Sequence, residues 1–280
     1  MVPEDIDERI ARAGAAYRAC NLCERRCGDD RLAPAAERKN YCGLGAGARI
    51  FNELLHFGEE LELIPSHAVY LTGCNFRCVF CMTGDHIVPE GLEKGAPLEP
   101  ASFARLVARR RAEGATNVNF LGGEPSVNLL AILEALRACP RDTRVVWNSN
   151  MYFSEEQAAL LRGVVDVYLA DWKYGDDACA LKLSAAPRYL EVVRRNLRFA
   201  RESARLIVRY LVMPGHNACC LRPIARMMAE ELPGVPLSIL DPYVPLFRAP
   251  RVKGMDRGST RDEAVEARAI AREHRLEIAE

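Results

Sequence analysis

A chain of 280 residues has room for one large α/β domain with a full hydrophobic core and a small appendage. Lys+Arg and Asp+Glu both number 38, so the formal net charge is zero, and neither a nucleic-acid footprint nor a membrane-surface patch is written into the balance. No apolar run approaches the roughly 20 residues of a membrane span, and the start, MVPEDIDERI, is acidic where a signal peptide is basic and then apolar. The expectation is a soluble, cytoplasmic protein with small-molecule or protein partners, no nucleic acid and no membrane.

In chain order, residues 1–47 read as an Ala/Arg-rich helix, then CNLCERRC, then a Gly-rich stretch around Cys42. Cys20, Cys23, Cys27 and Cys42 suit either a closed zinc site or an auxiliary [4Fe-4S] cluster, and their spacing does not decide between the two. Four free thiols this close invite oxidation, and so short a segment with little apolar content needs a staple, so a bound metal is expected. Residues 48–67 read as extended segments. From there, β-branched and aromatic runs at 68–72, 117–121, 144–148, 165–170, 206–212 and 236–240 alternate with helical stretches near 100–113, 127–138, 154–162, 187–203 and 218–231. Ser154 with Gln157 predicts a capping box at one helix start. Six βα units are fewer than the eight of a closed barrel, so the fold class expected is α/β, a partial (β/α)6 TIM-type barrel with its ligand site at the strands' C-terminal ends. The expected division is a Cys-rich metal-binding module with connecting segments over 1–66, the barrel over 67–251, and a charged linker with a surface helix over 252–280.

Eleven cysteines make an odd number for a disulfide framework, and seven fall within the first 81 residues, which points to metal. CNFRCVFC, carrying Cys74, Cys78 and Cys81, follows the first barrel strand. Three thiolates on one loop suit three irons of a cubane and leave the fourth iron open, whereas a structural zinc site closes with four ligands. Three buried thiols or part of a zinc knuckle is the alternative. The second strand ends in LGGEP, where Gly122 and Gly123 permit close backbone approach and Glu124 offers a carboxylate to an ammonium group; an ordinary β-to-α turn is the alternative. Asn148, Ser149 and Asn150 end the third strand. Asp171 and Lys173, one strand period apart at the end of the fourth, either grip a ligand's polar groups or pair at the rim. Arg209, inside an apolar fifth strand, needs an anion, supplied by a ligand carboxylate or by Asp171 or Glu124. Cys139 and Cys179 read as ordinary thiols near helix ends; Cys219 and Cys220 read as ordinary thiols at a helix start, whose N-terminus lowering a thiol for reaction is the alternative; His216 reads as a loop histidine bonded to backbone, with donation to a ligand or substrate as the alternative.

These pieces in this order, CX3CX2C, GGEP, the N-S-N strand end, DWK and VRYLVMPG, resemble the radical S-adenosylmethionine (SAM) superfamily. The resemblance extends to its pyruvate formate-lyase activating enzyme-like, PflX-like members, and runs from CNLCERRCG through LLHFGEE and VDVYLADWKY to LDPY. It implies a catalytic [4Fe-4S] cluster on Cys74, Cys78 and Cys81, with SAM as cofactor. Phe80 would then lie near the adenine, Glu124 at the SAM amino group, and Asp171 and Lys173 at its methionine moiety. Asn148 and Ser149 replace the Asp-Thr often found in such enzymes, which removes a carboxylate from a monovalent-cation site. The activity implied is an oxidoreductase that reductively cleaves SAM to a 5′-deoxyadenosyl radical and abstracts a hydrogen atom from a glycine of a partner protein, with flavodoxin or ferredoxin as electron donor. Radical modification of a small molecule or ribosomal peptide is the alternative, and a non-catalytic Fe-S or zinc scaffold is the alternative of another class.

Overall fold

The computed structural model describes residues 2–58 and 60–279. The strands are β1 (Arg49–His56), β2 (Ser66–Leu71), β3 (Ala96–Pro97), β4 (Asn117–Gly122), β5 (Val145–Ser149), β6 (Val167–Asp171), β7 (Arg205–Leu211) and β8 (Leu237–Leu240). The helices are α1 (Ile6–Tyr17), α2 (Pro100–Ala112), α3 (Leu129–Arg137), α4 (Glu155–Leu161), α5 (Asp177–Ser184), α6 (Tyr189–Ser203), α7 (Arg222–Glu231) and α8 (Arg261–Glu273). All eight strands form one open sheet in the order β3-β1-β2-β4-β5-β6-β7-β8. β2 and β4 to β8 are parallel, while β1 and β3 extend the edge antiparallel. This is the partial barrel of six βα units, with residues 48–67 supplying β1 and the start of β2.

Parallel strands covered by helices are buried on both faces, which is why they read as unbroken apolar runs. Every residue of β5 is buried, as are the first four of β6. α6 turns Tyr189, Val192, Val193, Leu197 and Ala200 inward at helical spacing. α1 buries Ile6, Ala13 and Tyr17 in the same continuous core. The buried Arg31 guanidinium stacks 4.0 Å from the Tyr17 ring centroid and donates to the carbonyls of Leu44, Gly45 and Val127. The N-terminal segment thus lies directly on the barrel.

Two local expectations differ. Ser154 Oγ accepts from the Gln157 backbone at 3.3 Å, but the Gln157 side chain turns to the Ser126 carbonyl instead of closing the box. A reciprocal capping box forms at α8, between Thr260 and Glu263. α5 is a helix the sequence pattern did not announce. Asp176 caps it by accepting from the Cys179 N–H at 2.7 Å.

Candidate functional site

The loop after β2 carries Cys74 and Cys78, both buried, and the half-buried Cys81. Each sulfur has a polar neighbour. Cys74 Sγ accepts from the Phe76 N–H at 3.3 Å, Cys78 Sγ from the Ser184 hydroxyl at 2.9 Å, and Cys81 Sγ lies 3.6 Å from Thr83 Oγ1. Burial pushes the Cys74 thiol well up, and the Cys78 thiol to about 11 against the pull of the Lys173 ammonium. Phe80 is buried edge-on against Tyr243, ring centroids 6.0 Å apart.

GGEP brings the end of β4 against this loop. Gly122 has φ +106°, and a Cβ on Gly123 would lie 1.9 Å from the Gly73 carbonyl oxygen, so only glycines let the two strand ends meet. Glu124 is 1% exposed. Its Oε1 accepts from the Ser126 N–H at 3.0 Å and the Ser149 hydroxyl at 2.7 Å, and its Oε2 from the Asn150 N–H at 2.9 Å. Burial raises its pKa, and these donors work against that rise. Asn150 in turn donates to Asn75 Oδ1 at 2.8 Å, inside the cysteine loop.

The parallel register sets Asp171 of β6 directly opposite Arg209 of β7. Asp171 takes the Lys173 ammonium at 2.6 Å on Oδ2 and the Arg209 Nε at 3.0 Å on Oδ1. Arg209 also donates to Asn148 Oδ1 at the end of β5. Burial disfavours the Asp171 carboxylate, yet Arg209 and Lys173 outweigh it and hold the pKa below the usual range. Lys173 and Arg209 thus present charged donors side by side at the strand ends, which suits a ligand carrying a carboxylate.

Cys20, Cys23, Cys27 and Cys42 line one recess with Arg25, Arg31, Asn40 and Tyr41. Burial pushes the Cys23 thiol up to about 12. Two arginines cross between this recess and the Cys74 loop. Arg25 donates to the Asn75 carbonyl at 2.8 Å. Arg77 donates to the carbonyls of Cys74 and Phe76, both at 2.8 Å, and to that of Tyr41. The two guanidiniums lie 3.9 Å and 4.4 Å from the Tyr41 ring centroid.

The structure brings Cys179, Cys219, Cys220 and His216 together, a convergence that the sequence reading did not make. Among the described residues they form the set of His, Cys and carboxylate groups whose ligand atoms all lie within 4.8 Å of one another. The signal present in the sequence was H-x-x-C-C, which helical spacing places on one face. Its fourth member, 37 residues before His216, is visible only in three dimensions. Cys139 keeps its bland reading. Its thiol donates to the Ala135 carbonyl at 3.3 Å and burial raises it to about 11.

Comparison with known proteins shows the family. The radical SAM superfamily model matches residues 69–228, more than half of the chain. An uncharacterized protein, MJ0674, of Methanocaldococcus jannaschii is 34% identical over 281 residues, covering 99% of this chain and 81% of that protein. The GTP 3′,8-cyclase of Aeromonas hydrophila subsp. hydrophila is 33% identical over 89 residues, 30% of this chain and 26% of that protein. The fold resembles crystal structures of Streptococcus suis SuiB bound to its precursor peptide SuiA (TM-score 0.53) and bound to S-adenosylmethionine (TM-score 0.52), each at 15% identity over 74% of this chain. The chain spans about half the length of those solved chains, 46% and 47%.

The family implies a [4Fe-4S] cluster and SAM. The donor set fits both: three thiols sit on one short loop with hydrogen-bond donors at two of their sulfurs, on the same sheet whose strand ends carry Asp171, Lys173 and Arg209. Among the described residues, no helix is long and apolar enough to cross a membrane. The chain is an α/β enzyme with an open, mostly parallel sheet, and it belongs to the radical SAM superfamily.

Proposed function

We propose that this chain is a cytoplasmic oxidoreductase that cleaves SAM reductively and abstracts a hydrogen atom from a polypeptide, with Cys74, Cys78 and Cys81 holding the cluster. When bound and reduced, the cluster supplies the electron that splits SAM into methionine and a 5′-deoxyadenosyl radical. The observation that carries this reading is the Asp171, Lys173 and Arg209 group, whose Lys173 ammonium acts electrostatically on the Cys78 sulfur. The Lys173 and Arg209 donors take the SAM carboxylate. The backbone of Gly122 and Gly123 and the Glu124 carboxylate take the ammonium, and Phe80 packs by the adenine. Asn148 fixes Arg209, while Ser149 and Asn150 fix Glu124.

A polypeptide target is supported by exposed apolar side chains at the mouth. Met82 is 86% exposed directly after Cys81, and Val244 and Leu246 are exposed on the loop after β8. The two segments touch, since the Arg248 N–H donates to the Val79 carbonyl at 2.9 Å. A glycine Cα of a partner protein is the first target, as in the activating enzymes, with a flavodoxin or ferredoxin supplying electrons. Modification of a ribosomal peptide is the second reading, favoured by the likeness to SuiB, which has been solved with a precursor peptide.

The test is anaerobic reconstitution with iron and sulfide, then dithionite and SAM, assaying 5′-deoxyadenosine. Wild type is expected to form it and a Cys74/Cys78/Cys81 triple alanine variant to form none. Wild type that binds only zinc and leaves SAM intact overturns the reading. Deuterium passing into 5′-deoxyadenosine from a glycine-deuterated polypeptide supports the first target. Transfer only from other side chains supports the second.

A further inference from the structure

We propose that Cys179, His216, Cys219 and Cys220 form a second metal centre, a closed tetrahedral site for one zinc ion that staples α5 to the turn after β7. The geometry is that of a coordination shell. Cys179 Sγ lies 3.9 Å from Cys219 Sγ and 3.7 Å from His216 Nδ1. Cys219 Sγ lies 3.9 Å from Cys220 Sγ and 3.4 Å from His216 Nδ1. Cys220 Sγ lies 3.7 Å from the same nitrogen. The remaining edge, Cys179 to Cys220, is within 4.8 Å.

Zn–S bonds of about 2.3 Å and Zn–N bonds of about 2.0–2.1 Å, set at tetrahedral angles, give edges of about 3.8 Å between sulfurs and about 3.5 Å between sulfur and nitrogen. The five distances match those edges. They are far too long for a disulfide, whose sulfurs sit about 2.05 Å apart. Three thiolates and an imidazole are a soft, borderline donor set of the kind that selects zinc, and four protein ligands leave no open position, as in structural sites.

The local fold explains the convergence. Residues Asn217–Leu221 form a π-helical turn, in which the His216 carbonyl accepts from both the Cys220 and the Leu221 N–H, at 2.8 Å and 3.4 Å. Positions i, i+3 and i+4 share a helix face, so His216, Cys219 and Cys220 point together. Gly175 lets that turn close onto the segment leading into α5, since a Cβ there would lie 2.3 Å from the Cys220 carbonyl oxygen. Cys179, in the first turn of α5, completes the shell.

The staple bears on the radical centre through α5. Its C-terminal residues hold the cysteine loop: the Val79 N–H donates to the Leu183 carbonyl at 2.8 Å, the Arg77 N–H to the Ser184 carbonyl at 3.0 Å, and the Ser184 hydroxyl to Cys78 Sγ at 2.9 Å. Cys179 and Ser184 are five residues apart, roughly 7.5 Å of helix. The ion is therefore a positioning element for the cluster loop and is not itself reactive.

Zinc and iron are counted in the purified, reconstituted full chain, in a C179A/C219A variant, and in both again on a C20A/C23A background that removes the N-terminal module as a competing zinc site. Wild type is expected to hold one zinc per chain more than C179A/C219A on either background, with iron on Cys74, Cys78 and Cys81 retained. Cobalt loaded in place of zinc on the C20A/C23A background should give the visible bands of a tetrahedral thiolate site, absent once Cys179 and Cys219 are gone. His216→Cys, which keeps four donors, should retain the bands at a shifted position. Equal zinc and equal cobalt bands with and without Cys179 and Cys219 overturn the proposal. Should C179A/C219A fail to fold, the cobalt spectrum of the C20A/C23A chain decides alone, and octahedral or featureless absorption there also overturns it.

Discussion

The Ser184 hydroxyl donates to Cys78 Sγ at 2.9 Å, joining the end of α5 to a cysteine 106 residues earlier in the chain. A donor on a cluster thiolate stabilises the more negative, reduced state and raises the reduction potential. Ser184→Ala is therefore expected to lower the potential of a cluster held by Cys78. A hydrogen bond of about 1 kcal/mol corresponds to roughly 40 mV for one electron. Redox titration followed by electron paramagnetic resonance measures it, and an unchanged potential would show that this bond is not kept once iron is bound.

Arg209 is expected to serve SAM rather than the cluster. Arg209→Met removes a charged donor from the group that also contains Asp171 and Lys173. A charged hydrogen bond is worth about 1.5–3 kcal/mol, so SAM affinity should fall roughly 10- to 100-fold with iron content unchanged. Equilibrium dialysis with labelled SAM and an iron assay separate the two. Loss of iron with normal affinity would contradict the assignment.

The N-terminal cysteines Cys20, Cys23, Cys27 and Cys42 line one recess. Four thiolates there suit an iron–sulfur cluster or a closed zinc site, and metal counting separates the two. The expected occupant is the cluster. C20A/C23A should lose about four irons per chain. Unchanged iron with lost zinc would reverse the choice, and unaffected SAM cleavage would make the module structural rather than an electron relay.

His67 sets an acid limit on stability. It is 1% exposed, its Nε2 lies 3.3 Å from Glu53 Oε2, and Phe103 stacks beside it. Burial pushes its imidazole down to about 4, with Arg110 and Arg109 adding to that and Glu53 opposing. Unfolded histidine titrates near 6.5. Between those values the unfolded chain binds a proton that the folded chain refuses, so stability falls as pH drops from about 6.5 to 4, by about 1.4 kcal/mol per unit. His67→Gln should lose about 2 kcal/mol less than wild type between pH 7 and 5 in anaerobic denaturant unfolding. Parallel losses would place the acid sensitivity elsewhere.

The strand and helix pattern from residue 66 onward was legible because parallel strands covered on both sides must be apolar throughout, and Val, Trp and Tyr runs such as Val145–Trp147 announce that plainly. α5 was not legible. Only one clear start signal, Asp176, marks its short run DACALKLS, and its apolar residues make no strong stripe. The order CX3CX2C, GGEP and DWK was readable because each motif lies at the end of a strand, and strand ends gather at one face; Arg209, inside β7, stood out as a charge in an apolar run. The partnership of Cys179 with His216 was hidden for the opposite reason. It depends on α5 and on a π-helical turn that Gly175 lets approach, and neither has a sequence period.

The paired arginines around Tyr41 have a consequence for biosynthesis. Residues 25–41 are synthesised before the groups they dock on, which are Asn75, Val127, Tyr152 and Ala185. Arg25 cannot reach its last acceptor until α5 has been made. Cys20, Cys23 and Cys27 are thus made long before the contacts that tie their segment to the barrel can form, and a chaperone or chelator acting on nascent thiols would meet them without that anchorage.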